Sequence, residues 1–307
     1  MQSCGCDHGA IQNQQLTSNS PMPPTNNKQQ TTNTSTTLSA GNKQQITNNQ
    51  IVTLLSDFGE QDVYVGVMKG AIALINPSLI TMDLTHQIPP QNIAAGRFAL
   101  MNAYAYFPPG TVHVAVVDPG VGSERRGVAV QFATGYVVAP DNGLLSGILS
   151  LSPAIAAVEL TNSNYWRTSN PSSTFHGRDI FAPVGAHLAS GVPLTALGDS
   201  IEPNSLVSLS IREYKLTDTG IVGSIQYVDY FGNLITNIPA ALVEGKCWAV
   251  ELGERIISGG KTYSDRLPGE VVALVGSHGW VEVAVNGGSA KLKLQLHWGD
   301  SLAVVFE

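Results

Sequence analysis

The chain has 307 residues, a formal net charge of −7 and three cysteines, Cys4, Cys6 and Cys247. No run of eighteen apolar residues occurs and no basic region followed by an apolar one opens the chain, so neither a membrane-spanning helix nor a signal peptide is expected. An acidic chain without basic blocks is a poor partner for a nucleic-acid backbone, and a small, odd number of cysteines argues for a reducing, cytoplasmic compartment rather than a disulfide framework.

Residues 1–50 read as a polar tail. Asn, Gln, Thr and Ser supply thirty of them and Phe, Trp and Tyr none, so the segment buries too little apolar surface to offset its ordering entropy and is expected to be disordered. Cys4, Cys6 and His8 match no standard zinc spacing, and no metal site is expected there or elsewhere.

Order is expected from Ile51. Residues 51–55 form an apolar strand that ends at Asp57. A helical pattern runs from Asp62 until Asn76-Pro77 stops it. Residues 79–84 read as a strand and 91–107 as a second helix closed by Pro108-Pro109-Gly110. The run 113–117 is a buried strand that breaks into Asp118-Pro119-Gly120-Val121-Gly122 and ends in a basic pair, Arg125-Arg126. Strands at 127–132, 136–139 and 156–160, a short helix at 142–149 and a longer one at 178–190 follow. This alternation predicts an α/β/α domain with a mostly parallel sheet at about 51–205.

After about residue 205 the helices give way to short strands at 221–228, 247–252, 271–275, 280–285, 291–296 and 301–306, with Asn286-Gly287-Gly288 as a hairpin turn between two of them. Six strands in about a hundred residues suggest a small C-terminal β-barrel at 206–307, and the overall class is α/β. A cleft between the two domains, or between neighbouring subunits, is the natural place for a ligand.

Some motif readings fail. The stretch Gly120-Val121-Gly122-Ser123-Glu124-Arg125 lacks the third glycine of a dinucleotide fingerprint, and a strand follows where a helix is needed. No P-loop and no G-x-S-x-G elbow occur. What remains is a set of clusters, each open to a structural or a chemical reading. Asp57 suits a ribose diol or a helix cap. Asp118 and Arg125 on one loop suit a polar ligand, a water or a loop-stapling ion pair. His176 in Thr174-Phe175-His176-Gly177-Arg178-Asp179 can move a proton near neutral pH, whereas Arg178 and Asp179 suit capping and pairing. Asp229-Tyr230-Phe231-Gly232-Asn233 offers an aromatic beside an amide, fit for a flat base or simply for a tight turn. Glu282 alternates with Val281 and Val283 and so lies on the opposite face of its strand.

Taken in order, these clusters resemble the S-adenosyl-L-methionine hydroxide adenosyltransferases, hydrolytic relatives of fluorinating and chlorinating enzymes. The resemblance spans residues 51–307 and rests on TLLSDFGEQDVYVGVMKG, YFPPGTVHVAVVDPGVGSERR, VVAPDNGLLS, FHGRDIFAPVGAHLA, DYFGNLITNI and SHGWVEVAVNGGSA. It implies an N-terminal α/β domain, a C-terminal β-barrel, and a homotrimer whose sites lie between one subunit's N-domain and its neighbour's C-domain. It implies hydrolysis of S-adenosylmethionine to adenosine and methionine, with no cofactor and no metal. Asp118, Arg125 and His176 match the family's catalytic triad and Asp57 its ribose carboxylate. Phe231 and Asn233 match positions around adenine and sugar, Ser277 and His278 the methionine end, and Asn286 the adenine contact. Phe175, Asp229 and Glu282 complete the candidate substrate-binding set. Halogenating members carry a serine where Gly177 stands and lack the triad histidine, which favours water over halide. A chlorinating relative also has a small residue there, so the alternatives are a halogenase or a non-catalytic adenosine-binding protein.

Overall fold

The computed structural model describes residues 51–306, so the polar tail with Cys4, Cys6 and His8 lies outside the described residues. The first part contains β1 (Ile51–Ser56), α1 (Tyr64–Ile75), β2 (Ile80–Thr85), α2 (Ile93–Tyr104), β3 (Thr111–Val116), β4 (Gly127–Gln131), β5 (Gly135–Pro140), α3 (Ser146–Leu151), β6 (Ala156–Glu159), α4 (Ala182–Ala189) and β7 (Asp199–Ile201). Its strands form one sheet in the order β2-β1-β3-β5-β4-β6-β7, parallel from β2 to β5 and antiparallel beyond.

Why β3 is central follows from its composition. All six residues are buried. Val112, Val114 and Val116 face α1 and α4, packing with Met68, Ile72 and Val184. Ala115, and Val117 just beyond the strand, face α2 and α3, packing with Ala95, Leu100 and Ile148. A strand covered on both faces needs a continuous apolar run, which is what the sequence shows there. His113 is accommodated as a core group. Its Nδ1 meets the Thr53 hydroxyl at 2.7 Å, its ring lies against Tyr104 and Phe107, and burial pushes its pKa down to about 4.

The second part contains β8 (Lys215–Thr217), β9 (Gly220–Val228), β10 (Leu234–Pro239), β11 (Trp248–Leu252), β12 (Arg255–Ser258), β13 (Val271–Val275), β14 (Trp280–Val285), α5 (Ala290–Leu294) and β15 (Ser301–Phe306). The antiparallel order is β12-β11-β15-β9-β10-β14-β13, with β8 beside β9. A bridge from Gly259 to Ala273 joins the two ends, so the sheet nearly closes into a barrel around Ile225, Leu234, Val250, Val283 and Val304. The joint between the two sheets is α2. Phe98 and Met101 pack on Ile235, and Phe98 stacks on Tyr227 with centroids 4.7 Å apart.

Three local expectations change. Residues 291–296 are not a strand, and Asn286-Gly287-Gly288 is not a hairpin between two strands. The turn leads into α5, whose Ser289 side chain accepts from the Leu292 N–H at 3.2 Å. The alternation Lys-Leu-Lys-Leu-Gln-Leu mimics a strand, but the serine cap decides the local structure. The helix expected at 178–190 begins as a π-turn over Gly177–Phe181 before α4. Strands β10 and β12, and the short β7 and β8, are additions, because none combines length with alternation.

Gly185 of α4 permits the close packing on β3, since a Cβ there would come 2.4 Å from Val114 Cγ2. Gly185→Ala is expected to lower stability by roughly 1–3 kcal/mol despite alanine's better helix propensity, read from the denaturation midpoint at unchanged m-value.

Candidate active site

Asp57 and Asp118 stand just beyond the carboxyl ends of two neighbouring parallel strands. Ser56 of β1 lies opposite Val116 of β3. The chain leaves β1 towards β2 on one side and reaches β3 on the other, so the crevice between these two strand ends is the topological switch point where α/β sheets hold ligands.

The loop after β3 carries an ion pair with a third member. Arg125 Nε donates to both Asp118 oxygens at 2.8 and 3.0 Å, and its Nη2 to Asp118 Oδ2 at 2.5 Å. The same Nη2 lies 2.7 Å from His176 Nδ1. Arginine has only donors, so Nδ1 must accept. His176 is therefore held as a neutral imidazole with its proton on Nε2. Burial, then the charge of Arg125, lowers its pKa, against the pull of Asp118 and Asp179. The Asp118 and Arg125 side chains are only 5% and 11% exposed, so the pair works in a partly dry setting.

Packing holds this arrangement. Gly122 has φ +78°, and a Cβ there would strike the Ser173 carbonyl at 2.3 Å, so the loop after β3 presses on the loop before His176. The guanidinium of Arg125 lies over the ring of Phe181, 5.2 Å from its centroid, on the π-turn. Such turns re-aim a helix end and recur at functional sites. Asp179, on the same turn, accepts from Arg167, Arg178 and the Ser172 N–H. Burial opposes its charge, but these bonds hold the carboxyl far below the ordinary carboxylate range. The pairing expected of Arg178 and Asp179 is thus present, and it anchors the loop that carries His176.

Asp57 Oδ2 accepts the Gln91 N–H at 2.7 Å, and Gln91 has φ 63°, a left-handed conformation that costs a non-glycine residue about 1–2 kcal/mol. Ser56 Oγ meets His86 Nδ1 at 2.7 Å and accepts from the Phe58 N–H, tying the two loops together. His86 Nε2 lies 3.1 Å from Asp83 Oδ1, out of line for a hydrogen bond. Phe175 belongs to this group: its ring meets Phe58 and Tyr64 edge-on, with centroids 5.6 and 5.2 Å apart.

The remaining candidates gather in the barrel. A cavity of about 540 Å³ is lined by Phe231, Asn233, Tyr263, Asn286, Gly287 and Ser289, among others. Asp229 accepts from the Asn233 N–H and Nδ2 at 2.8 and 2.9 Å, which fixes the Asn233 amide with its oxygen unspent. Asn286 Nδ2 donates to the Arg266 carbonyl. Phe231 is 73% exposed and Tyr230 98% exposed, an unusual display of aromatic surface. Glu282 is buried and accepts from Tyr263 at 2.8 Å and from His278 Nε2 at 2.9 Å. The Tyr263 hydroxyl is pushed up to about 12 by burial, then by Glu282. His278 Nδ1 accepts from the Trp280 N–H, so both ring nitrogens are used within the chain, while Ser277 is exposed. Among the described residues no hydrogen bond joins the barrel group to the group around Asp118.

Tyr263 and Gln91 enter the picture only with the structure. Tyr263 sits in Thr262-Tyr263-Ser264-Asp265, a capping box, and a lone aromatic inside such a polar turn was the available signal. Gln91 had none beyond its place after Pro89-Pro90.

This combination is that of a known family. The chain matches the model of the SAM hydroxide adenosyltransferase N-terminal domain over residues 52–198 and that of the C-terminal domain over 223–303, and it belongs to this family. It is 41% identical over 256 residues to the (R)-S-adenosyl-L-methionine hydrolase of Thermus thermophilus, covering 81% of this chain and 96% of the relative. It is 39% identical over 254 residues to the enzyme of the same name from Salinispora arenicola, covering 82% and 97%. A fluorinase of Actinoplanes sp. is 27% identical over 291 residues, covering 83% and 97%. Among solved structures, an uncharacterized conserved protein from Thermotoga maritima superposes with a TM-score of 0.78 at 36% identity, covering 83% of this chain and 99% of its own.

Asp179→Asn is expected to lower stability by about 1–3 kcal/mol. The carboxylate's contribution is present above an ordinary carboxyl pKa near 4 and is lost as pH falls towards its depressed folded value, so the difference between wild type and variant should shrink on acidification in parallel urea titrations.

Proposed function

We propose that the chain hydrolyses S-adenosyl-L-methionine, in the (R) form that the names of its relatives specify, by attack of water at the ribose 5′ carbon, giving adenosine and methionine. The sulfonium leaves as a neutral thioether, so departure needs no acid. The water forms the C–O bond and gives up one proton. The observation that carries the reading is Arg125 bonded at once to Asp118 and to His176 Nδ1. With Nδ1 occupied, His176 offers only its Nε2–H, which can orient the water but not deprotonate it. Asp118 is then the proton acceptor, and Arg125 steadies the charge that develops. In-line placement can supply about 7–11 kcal/mol in favourable cases and the base about 10²–10⁴-fold. Neither metal nor cofactor enters this chemistry.

Asp57, with Oδ1 unspent, takes the ribose hydroxyls. Phe231 and Tyr263 flank adenine, with Asn233 and Asn286 at its edge. Ser277 meets the methionine end, and His278 and Glu282 brace Tyr263 rather than touch substrate. Since no hydrogen bond among the described residues joins the barrel group to the Asp118 group, we take the site to be completed by a second copy and assign a homotrimer in the cytoplasm. The halogenase reading has less support. A Cβ at Gly177 would lie 3.3 Å from Met68 Sδ and Phe175 Cε2, which crowds the hydroxyl-bearing side chain that halogenating members place there.

Incubation with the (R) and (S) forms of S-adenosyl-L-methionine, with and without chloride and fluoride, should yield adenosine and no 5′-halo product; absence of adenosine from both forms would overturn hydrolysis. Asp118→Ala and His176→Ala should each reduce kcat by at least about 10²-fold. The rate should fall on the acid side of about 6.5, because protonation at Nδ1 breaks the bond to Arg125, and a limb centred above that value contradicts the lowered pKa. For the shared site, Asp118→Ala mixed with Asn233→Ala should recover about a quarter of wild-type activity in random trimers, since one junction in four pairs two intact halves. No recovery in assemblies shown to be mixed would place the whole site within one chain.

A further inference from the structure

Arg97 lies in α2 at the joint between the sheets and is 9% exposed. Its Nη1 donates to Gln226 Oε1 at 3.1 Å, and its buried Nε has no hydrogen-bond partner. Among the described residues no carboxylate pairs with it. Burial pushes its pKa down, yet arginine stays charged in proteins. A buried cation without an anion is costly and uncommon, which makes Arg97 a candidate donor to an anion.

The surroundings are shaped for one. Arg97 lines a cavity of about 650 Å³ with Arg212, Glu213, Ser208, Gln226 and Trp280, roofed by the segment that joins the two sheets. Gly147 of α3 allows α2 to pack closely here, since a Cβ there would meet Met101 Cβ at 2.8 Å, the Arg97 carbonyl at 3.0 Å and Arg97 Nε at 3.2 Å. Ser146 and Ser150 also face the cavity, but their hydroxyls donate to the Gly143 and Gly147 carbonyls. The unspent donors are Arg97, the Ser208 and Tyr214 hydroxyls, the Trp280 indole and what Arg212 keeps beyond its bond to Ser301. Exposed Glu213 is the one acid in the lining, so cations outnumber it two to one. None of these residues belongs to the candidate active site. We propose that this cavity binds the oxyanion of a small molecule, carboxylate or phosphate, with Arg97 as its buried donor.

The test is thermal unfolding of the intact oligomer titrated with sodium phosphate and, separately, sodium malonate, each against sodium chloride at matched ionic strength. The expected result is a saturable rise of roughly 5–10 °C at about 100 times the dissociation constant. Phosphate acting alone identifies a phosphate ligand, and malonate alone a carboxylate. Arg97→Gln should abolish the rise and Arg212→Gln should weaken it. Should Arg97→Gln fail to fold, selenate soaked into wild-type crystals should give an anomalous peak within hydrogen-bonding distance of the Arg97 guanidinium. A response equal to that in chloride overturns the proposal, as does one kept in Arg97→Gln. So does a selenate-free cavity, or Arg97 paired with an acid of a second copy.

Discussion

The pairing of β1 with β3 is the constraint on which the site depends. Both strands are buried between helices, so a one-residue slip would turn each apolar set to the wrong layer, and the register that sets Ser56 opposite Val116 is strongly enforced. That register brings two carboxylates, sixty-one residues apart in sequence, to adjacent strand ends. Neither needs a long loop to reach its place. Asp57 follows β1 directly and Asp118 stands two residues beyond β3.

Electrostatics then refine what the backbone delivers. Arg125 spends its Nε and Nη2 donors on an acid and an imidazole, with its guanidinium over the Phe181 ring. Its presence decides the tautomer of His176 and thereby divides the labour in the proposed reaction. The loop that brings His176 is itself clamped by Asp179, whose three donors come from elements on both sides. The geometry is set in advance of any ligand, which is the condition under which charge stabilisation is most effective.

Much of this was legible in the sequence, for physical reasons that differ by region. The short apolar runs at 51–55 and 113–117, rich in β-branched residues and bounded by turn residues, read as buried strands, and an acid after each marks the switch point. Asp118 and Arg125 are seven residues apart, so their pairing was a local question. His176 could be joined to them only through the family resemblance, because the contact is made across the packing of two loops at Gly122 and Ser173. The π-turn was hidden, since Gly177–Phe181 reads as the first turn of an ordinary helix. The segment 291–296 is ambiguous in sequence because five helical residues and a short strand both suit alternating lysine and leucine; only the cap at Ser289 separates them. Tyr263 was out of reach for a different reason: its role depends on a buried glutamate nineteen residues later.

Tyr230 and Phe231 carry a further consequence, for the chain soon after synthesis. These two rings are exposed, and with Leu292 and Trp298, also exposed, they line a second hollow that Pro89 and Asn92 border from the other side. Apolar surface of this kind is as attractive to a misfolded neighbour as to a ligand. A newly made chain therefore carries surface whose unproductive association accelerates with concentration. The exposed aromatic surface proposed to receive a flat base is thus also surface at risk of aggregation after synthesis.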